Sequence, residues 1–377
     1  MSFNFKTERM KTIYYLIFSI GLILCSCQKE EELTPSLIDK DRTAELIDMS
    51  KPLVKKWKDS YNVSILHRFN DTLDFKFGLW INGTKDLWSN LAISKVSDAD
   101  ADQTLALLDD FILKYFKDTI VTPDGRTVYP DFKKKYFPKR ILLVDTLENQ
   151  TTTIPDNILI DLDNKPGKTL RAVFNGYEQM ISLSIRYLPT AAEDVKRDIR
   201  DEILYDMMAN MFERHDLYSQ LSDEFYVLQK DLYGKDVNEK AAIEKPAYLT
   251  YLQKKGTVWM QITDTTIYSP SWYVEKGFVM LKKTPNSGGS TFIKRLNKNK
   301  QLTFPYKNLD VRSMLQVIIC DLKEKETSSL KAVDPVRDYY LKSPLLKKRM
   351  KLLINQLYEW GVDVFAINPE MKEFYKD

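Results

Sequence analysis

The chain has 377 residues, 44% hydrophobic and 29% charged, with 56 Lys+Arg against 53 Asp+Glu. This is ordinary globular composition, long enough for one large domain or two smaller ones. The near-neutral balance argues against nucleic acid as a partner, because that role needs a basic face.

The first element is an export signal. Lys6, Arg9 and Lys11 precede a largely apolar run of twelve, Ile13 to Leu24. A membrane helix needs about twenty apolar residues, so the run is short for a permanent span and fits the centre of a cleaved signal. It ends on Leu24-Cys25-Ser26-Cys27, the pattern of a bacterial lipoprotein signal in which Cys27 becomes the first mature residue. Its thiol is expected to carry palmitate-type acyl chains, each buried CH₂ adding about 0.8 kcal/mol of membrane affinity. Met10-Lys11-Thr12 is an alternative translation start to Met1. Gln28 is not the aspartate that retains lipoproteins in an inner membrane. Glu30 to Glu32 resembles a surface-export signal of Gram-negative anaerobes, which implies the outer membrane, facing outward. The expected organisation is a signal peptide over 1–26, an acidic tether over 27–41, too polar to fold alone, and a single domain over 42–377. Without 1–26, which hold Lys6, Arg9, Lys11 and Glu8, 53 basic and 52 acidic residues remain. Cys320 is then the one cysteine neither removed nor acylated. It lies on an apolar helix face and reads as an inert core residue.

Arg42 to Lys58 reads as helical with a break near Pro52. Tyr61 to Phe69 alternates Val63, Ile65, His67 and Phe69, a strand signal. Ser97 caps an amphipathic helix from Ala101 to Phe116. Asp98, Asp100 and Asp102 resemble the start of a calcium loop, but Gln103 stands where glycine is needed and Asp109 where a bidentate glutamate is needed. They read better as acids facing the positive end of that helix. Ile141 to Val144 is a short buried strand. Leu170–Phe174 and Tyr177–Leu188 flank Asn175-Gly176, the signature of a two-residue hairpin. The longest helix runs about 191–215, with Thr190 and Glu193 as a capping box and Val195, Ile199 and Ile203 four apart. Another spans Asp310 to Lys323, with Asn308 as its cap and Val311, Met314, Leu315, Ile318, Ile319 and Leu322 inward. The last begins at Ser343-Pro344 and stops at Gly361. Strands first and helices later point to an α+β fold.

On the long helix, Asp201-Glu202-Ile203-Leu204-Tyr205 places positions 201 and 205 on one face with 202 beside them. In metallopeptidases this geometry appears as H-E-x-x-H, where two imidazoles bind zinc and the glutamate activates its water. Taken alone, the pentad reads as acids on a solvated helix face. Asp201, Glu202 and Asp206 offer at most a weak calcium site. Lys133-Lys134-Lys135 and Lys347-Lys348-Arg349 read as solvated faces. Trp259, Tyr268, Trp272 and Tyr273 cluster in a turn-rich stretch, where they brace a loop or contact a peptide or glycan. Asn286-Ser287-Gly288-Gly289-Ser290 lacks the Lys-Ser/Thr of a phosphate loop. No nucleophile elbow accompanies His67 or His215.

An ordered series of motifs carries a resemblance. It comprises Lys55-Lys56-Trp57, Tyr61-Asn62-Val63, His67-Arg68-Phe69, Tyr136 to Val144, Ile199 to Met208, Lys276-Gly277-Phe278-Val279, Asn308 to Leu315 and Tyr358 to Asp363. In order and spacing the chain resembles a family of predicted zinc-binding metallopeptidase lipoproteins found beside outer-membrane nutrient-uptake systems. The resemblance implies a zincin-like domain, a small sheet packed against long helices. It also implies that the family's zinc histidines fall at Asp201 and Tyr205, its glutamate at Glu202 and its later acidic ligand near Ser313, with Asp310 retained. Zinc sites need imidazoles or thiolates. His67 reads as a packed strand residue, and His215 as a cation at a helix end, nearly three turns past Tyr205. No cofactor is therefore expected. Without a metal, Glu202 has nothing to lower the pKa of a water. The leading expectation is a pseudoenzyme acting as a binding or accessory component. The alternatives are an active peptidase with a displaced or non-zinc site using Glu202, and a structural partner of other surface proteins. The partners implied are a membrane through Cys27, importer components, and a peptide or glycan.

Overall fold

The computed structural model describes residues 42–75, 91–149, 168–169, 172–175, 180–235, 274–279, 304–320, 334–338 and 340–376. The chain divides into two units, Met1–Glu45 and Leu46–Asp377. The described elements begin with α1 (Arg42–Leu46) and α2 (Pro52–Tyr61). Pro52 sits at the first helical position, where its missing N–H costs nothing. Val54, Trp57 and Tyr61 form the buried stripe of α2, and Asn62, in the left-handed region at φ 55°, ends the helix. Next come β1 (Ser64–Leu66), β2 (Leu91–Lys95), α3 (Ala101–Phe111), the short hairpin β3 (Ile120–Val121) and β4 (Thr127–Val128), and α4 (Phe132–Tyr136). They lead to β5 (Arg140–Asn149), β6 (Lys168–Thr169), β7 (Ala172–Asn175) and β8 (Met180–Ser184).

β5 organises the main sheet. Its first half lies between β1 and β8, parallel to both, and its second half between β2 and β6, antiparallel to both. β7 covers the other side of β8, antiparallel. Strand periodicity then sorts the side chains. Ile65, Ile141, Leu143, Ile181 and Leu183 point into the larger cluster, formed with the helices. Leu66, Leu142, Val144, Val173 and Met180 point into a smaller one with Phe69, Phe75 and Leu91. Ile141 to Val144 are at most 1% exposed, which explains why this strand reads as an unbroken apolar run rather than an alternating one.

Helices dominate the remainder: α5 (Glu193–Arg214), α6 (Asp223–Val227), α7 (Lys307–Ile319), α8 (Pro335–Asp338), α9 (Pro344–Glu359) and α10 (Val364–Ile367). α7 packs along α5. α9 starts as the sequence suggests: Ser343 Oγ accepts from the Leu346 N–H at 3.2 Å. It stops at Gly361, whose φ of +83° suits glycine and where a Cβ would lie 2.6 Å from the Lys117 carbonyl oxygen.

All described strands end by Ser184 and the long helices follow, so the fold is mixed α+β. Several local expectations need correction. β7 and β8 pair Phe174 with Ile181 and Asn175 with Met180, a register that a two-residue turn on Asn175-Gly176 would not give. α5 has no side-chain cap; its N-cap is Ala192, and the Thr190 hydroxyl donates to the Tyr187 carbonyl at 2.8 Å, inside a preceding 3₁₀ turn. Val195 is exposed, although Ile199 and Ile203 face the core. Asn308 is not the cap of α7; that position is Tyr306. The helix after Ser97 ends at Phe111, and a 3₁₀ turn covers Leu113–Tyr115.

Candidate functional site

α5 brings the pentad to the face that meets α7 and the C-terminal segment. Asp201 is only 4% exposed. Its Oδ1 accepts from Arg200 Nε at 2.8 Å and Nη2 at 2.6 Å. Arg200 is itself anchored: Nη1 donates to Tyr115 Oη and Nη2 to the Ile367 carbonyl, each at 3.1 Å. Burial works against the Arg200 charge, but Asp201 and Tyr115 together outweigh it and hold the guanidinium pKa above its ordinary value. Cys320, half-buried at the end of α7, lies with Sγ 3.8 Å from the Asp201 carbonyl oxygen.

Tyr205, one turn along, is half-buried against the main core. Burial pushes its phenol pKa up, while a hydrogen bond from Arg312 of α7 opposes the rise. Burial works against the Arg312 charge, but Tyr205, Tyr218 and Glu213 together outweigh it and hold its pKa above the ordinary value. Ser313, the next residue, is 4% exposed, and its hydroxyl donates to the Leu309 carbonyl of its own helix at 2.7 Å. Glu202 is half-buried.

The structure therefore brings Asp201, Glu202, Tyr205 and Ser313 onto two packed helices, but it supplies each intended ligand position with a different partner. A carboxylate held by one guanidinium, a phenol held by another and a serine spent on its own helix are a poor donor set for zinc. Two fixed cations would repel a third. The residues present do not fit the metal that the resemblance implies.

The histidines lie elsewhere. His67 follows β1, is 3% exposed, and has Nε2 3.3 Å from Asp98 Oδ1. Burial lowers its pKa, and Arg68 adds to that. His215 caps the C-terminus of α5 with its ring 5.2 Å from Tyr136. It was expected to sit there as a cation, but burial first and then Arg214 lower its pKa. The acids after Ser97 are shared among different cations: Asp98 with Arg68 at 2.7 Å, Asp100 with Arg186 at 3.4 Å and Asp102 with Lys51 at 2.7 Å. No group of three metal-binding side chains occurs among the described residues.

Sequence reasoning missed the principal buried polar network. Arg349, expected on a solvated face of α9, is fully buried. Its Nη2 meets Asp310 Oδ2 at 2.5 Å and Tyr233 Oη at 2.8 Å, Nη1 donates to the Gly277 carbonyl at 2.6 Å, and Nε to the Phe225 carbonyl at 3.2 Å. Tyr233 also donates to Asp310, at 2.7 Å. Asp310 and the Gly277-Phe278 motif were visible in sequence; their common partner was not. Lys133, also expected in solvent, is 6% exposed, paired with Asp118 at 2.8 Å and lying 4.2 Å from the Tyr61 ring centre. Lys348 does face solvent, with Glu224 at 2.7 Å.

Beside this network opens a cleft of about 650 Å³, between the C-terminal end of α5 and the N-terminal end of α7. It is lined by Tyr218, Tyr226, Tyr233 and Tyr306, with the exposed Glu213, Asp216 and Lys307 among its polar groups. It lies three turns along α5 from Glu202, and the pentad is not among its described lining residues. Cys27, Trp259, Tyr268, Trp272, Tyr273 and the 286–290 loop fall outside the described residues.

No family model, curated protein or solved structure matches this chain. No described helix is long and apolar enough to cross a membrane.

Proposed function

We propose that this protein is an outer-membrane surface lipoprotein, held by acyl chains on Cys27, whose zincin-like domain no longer hydrolyses peptides. It serves as a binding or accessory component beside a nutrient-uptake system. The lipoprotein signal and the ordered motif series support the address and the ancestry. The observation that carries the non-catalytic reading is the pairing of Asp201 with Arg200 and of Tyr205 with Arg312. Both positions that the resemblance assigns to zinc histidines are spent on internal cations, and Glu202 has no Lewis acid to work with.

Two measurements test this. Metal analysis of the purified protein, with hydrolysis of a broad peptide library, should give neither stoichiometric zinc nor chelator-sensitive cleavage. Cleavage that disappears in Glu202→Gln would overturn the reading. Growth in radiolabelled palmitate should label the wild-type protein and not Cys27→Ala. A label retained in that variant would retire the anchor.

A further inference from the structure

We infer that the tyrosine cleft at the end of α5 is a carbohydrate-binding site that takes a short neutral oligosaccharide. The inference builds on the binding role proposed above and names its ligand class. Its volume of about 650 Å³ falls inside the ~300–1,000 Å³ range of small-molecule sites.

The walls show what they can offer. Three of the four tyrosines already use their hydroxyls in hydrogen bonds within the protein. Tyr218 Oη donates to Glu213 Oε2 at 3.1 Å, Tyr226 Oη to the Tyr218 carbonyl at 2.6 Å, and Tyr233 Oη to Asp310 at 2.7 Å. What they present to a guest is ring surface, fixed in place by those bonds. Tyr306 completes the wall and is 65% exposed. Its ring lies against Gly234, where a Cβ would be 2.8 Å from Tyr306 Cε1. The edge is polar and mixed, with acceptors at Glu213 and Asp216, a hydroxyl at Ser219, an amide at Asn308 and an ammonium at Lys307.

Each competing ligand class meets an obstacle on these walls. Two carboxylates at the edge disfavour an anion. A cation finds Lys307 already placed, with Nζ 4.8 Å from the Tyr226 ring centre, so the cation–π position is taken and like charge repels a second. A wholly apolar guest would strip water from the polar edge without replacing its hydrogen bonds. An extended peptide paired through its backbone needs a strand edge, and none of the cleft's described lining residues lies in a strand. A sugar ring has what remains: apolar C–H faces to lie on the tyrosine rings, and hydroxyls that both donate to the carboxylates and accept from Lys307 and Asn308.

The test uses the full-length lipoprotein in a detergent without a sugar headgroup. It is screened on an array of neutral di- to hexasaccharides of glucose, galactose, mannose and xylose, and the best hit is titrated by calorimetry. At least one saccharide should bind with a dissociation constant of 1 mM or tighter (about −4 kcal/mol). Tyr306→Ala, at an exposed position, should weaken it about tenfold, and Tyr306→Phe should restore affinity to within about twofold. Glu213→Gln should weaken it about fivefold. Melting curves by circular dichroism confirm that each variant is folded. Lack of binding to every saccharide overturns the inference, as does binding that a folded Tyr306→Ala leaves unchanged, or preferential binding of oligolysine or inorganic phosphate. Zinc-dependent peptide cleavage would retire the non-catalytic reading alone, because the Tyr306 series reads a cleft three turns from Glu202.

Discussion

Asp201 and Asp310 make an instructive pair. Both are helix carboxylates with almost no exposure, and both meet a guanidinium at about hydrogen-bond distance. Asp201 takes its arginine from the adjacent residue of its own helix. Asp310 takes its arginine from 39 residues away, and that arginine also binds the carbonyls of Phe225 and Gly277 and the Tyr233 hydroxyl. The first pair neutralises a charge locally. The second ties α7, α9, the Gly277 turn and the segment after α5 into one unit. The lesson is that an acid's partner, more than its type or its helical spacing, decides what it does.

The largest expected effect sharpens that difference. Removing one partner from a buried pair strands the other charge, at a cost of ~3–5 kcal/mol. Arg349→Met and Asp310→Leu alone should each lower stability by that much in urea unfolding, whereas the double variant should recover much of the loss. A double variant as unstable as the sum of the singles would break the account of Arg349 as a clasp. Asp201→Asn should cost less, ~1–3 kcal/mol, because Arg200 keeps Tyr115 and the Ile367 carbonyl.

A third variant asks whether the arginines keep zinc out. Asp201→His with Tyr205→His puts two imidazoles four residues apart beside Glu202. Adding Arg312→Ala should tighten zinc binding about tenfold over that double variant, measured by competition with a chelating dye. Equal affinity would show that Arg312 is a bystander.

The smallest effect concerns pH and the two histidines. His215 and His67 both have folded-state pKa values below the ordinary 6.5. The unfolded chain therefore binds more protons near pH 6, so the stabilisation is complete above pH 6.5 and is lost as pH falls through that value toward the folded pKa. The melting temperature should fall between pH 7.5 and 5, and the fall should shrink in His67→Gln. A slope unchanged in that variant would remove His67 as a contributor.

Much of the skeleton was legible because it is written locally. The break at Pro52, the buried run Ile141 to Val144, the stripe on α7, and Ser343-Pro344 with Gly361 at the two ends of α9 each need only a few neighbouring residues to be read. The failures share a different physics. The Thr190 and Glu193 spacing suits a capping box, yet the preceding 3₁₀ turn claims the hydroxyl first. Lys133 and Arg349 look solvated inside basic runs, because the groups that make burial tolerable come from distant segments: Asp118 and Tyr61 for one, Asp310, Tyr233 and Gly277 for the other. The candidate site divided in the same way. The pentad stood out by its spacing, while the cleft, assembled from four tyrosines on separate elements, carries no linear signature.

The clasp also sets an order of events along the chain. Asp310, 1% exposed in the folded protein, precedes α9 in the chain and meets its counter-charge only when Arg349 docks. Until Arg349 arrives, closing that region would enclose a carboxylate without its counter-charge, at several kcal/mol. α9 thus supplies the counter-charge that lets the region around Asp310 close.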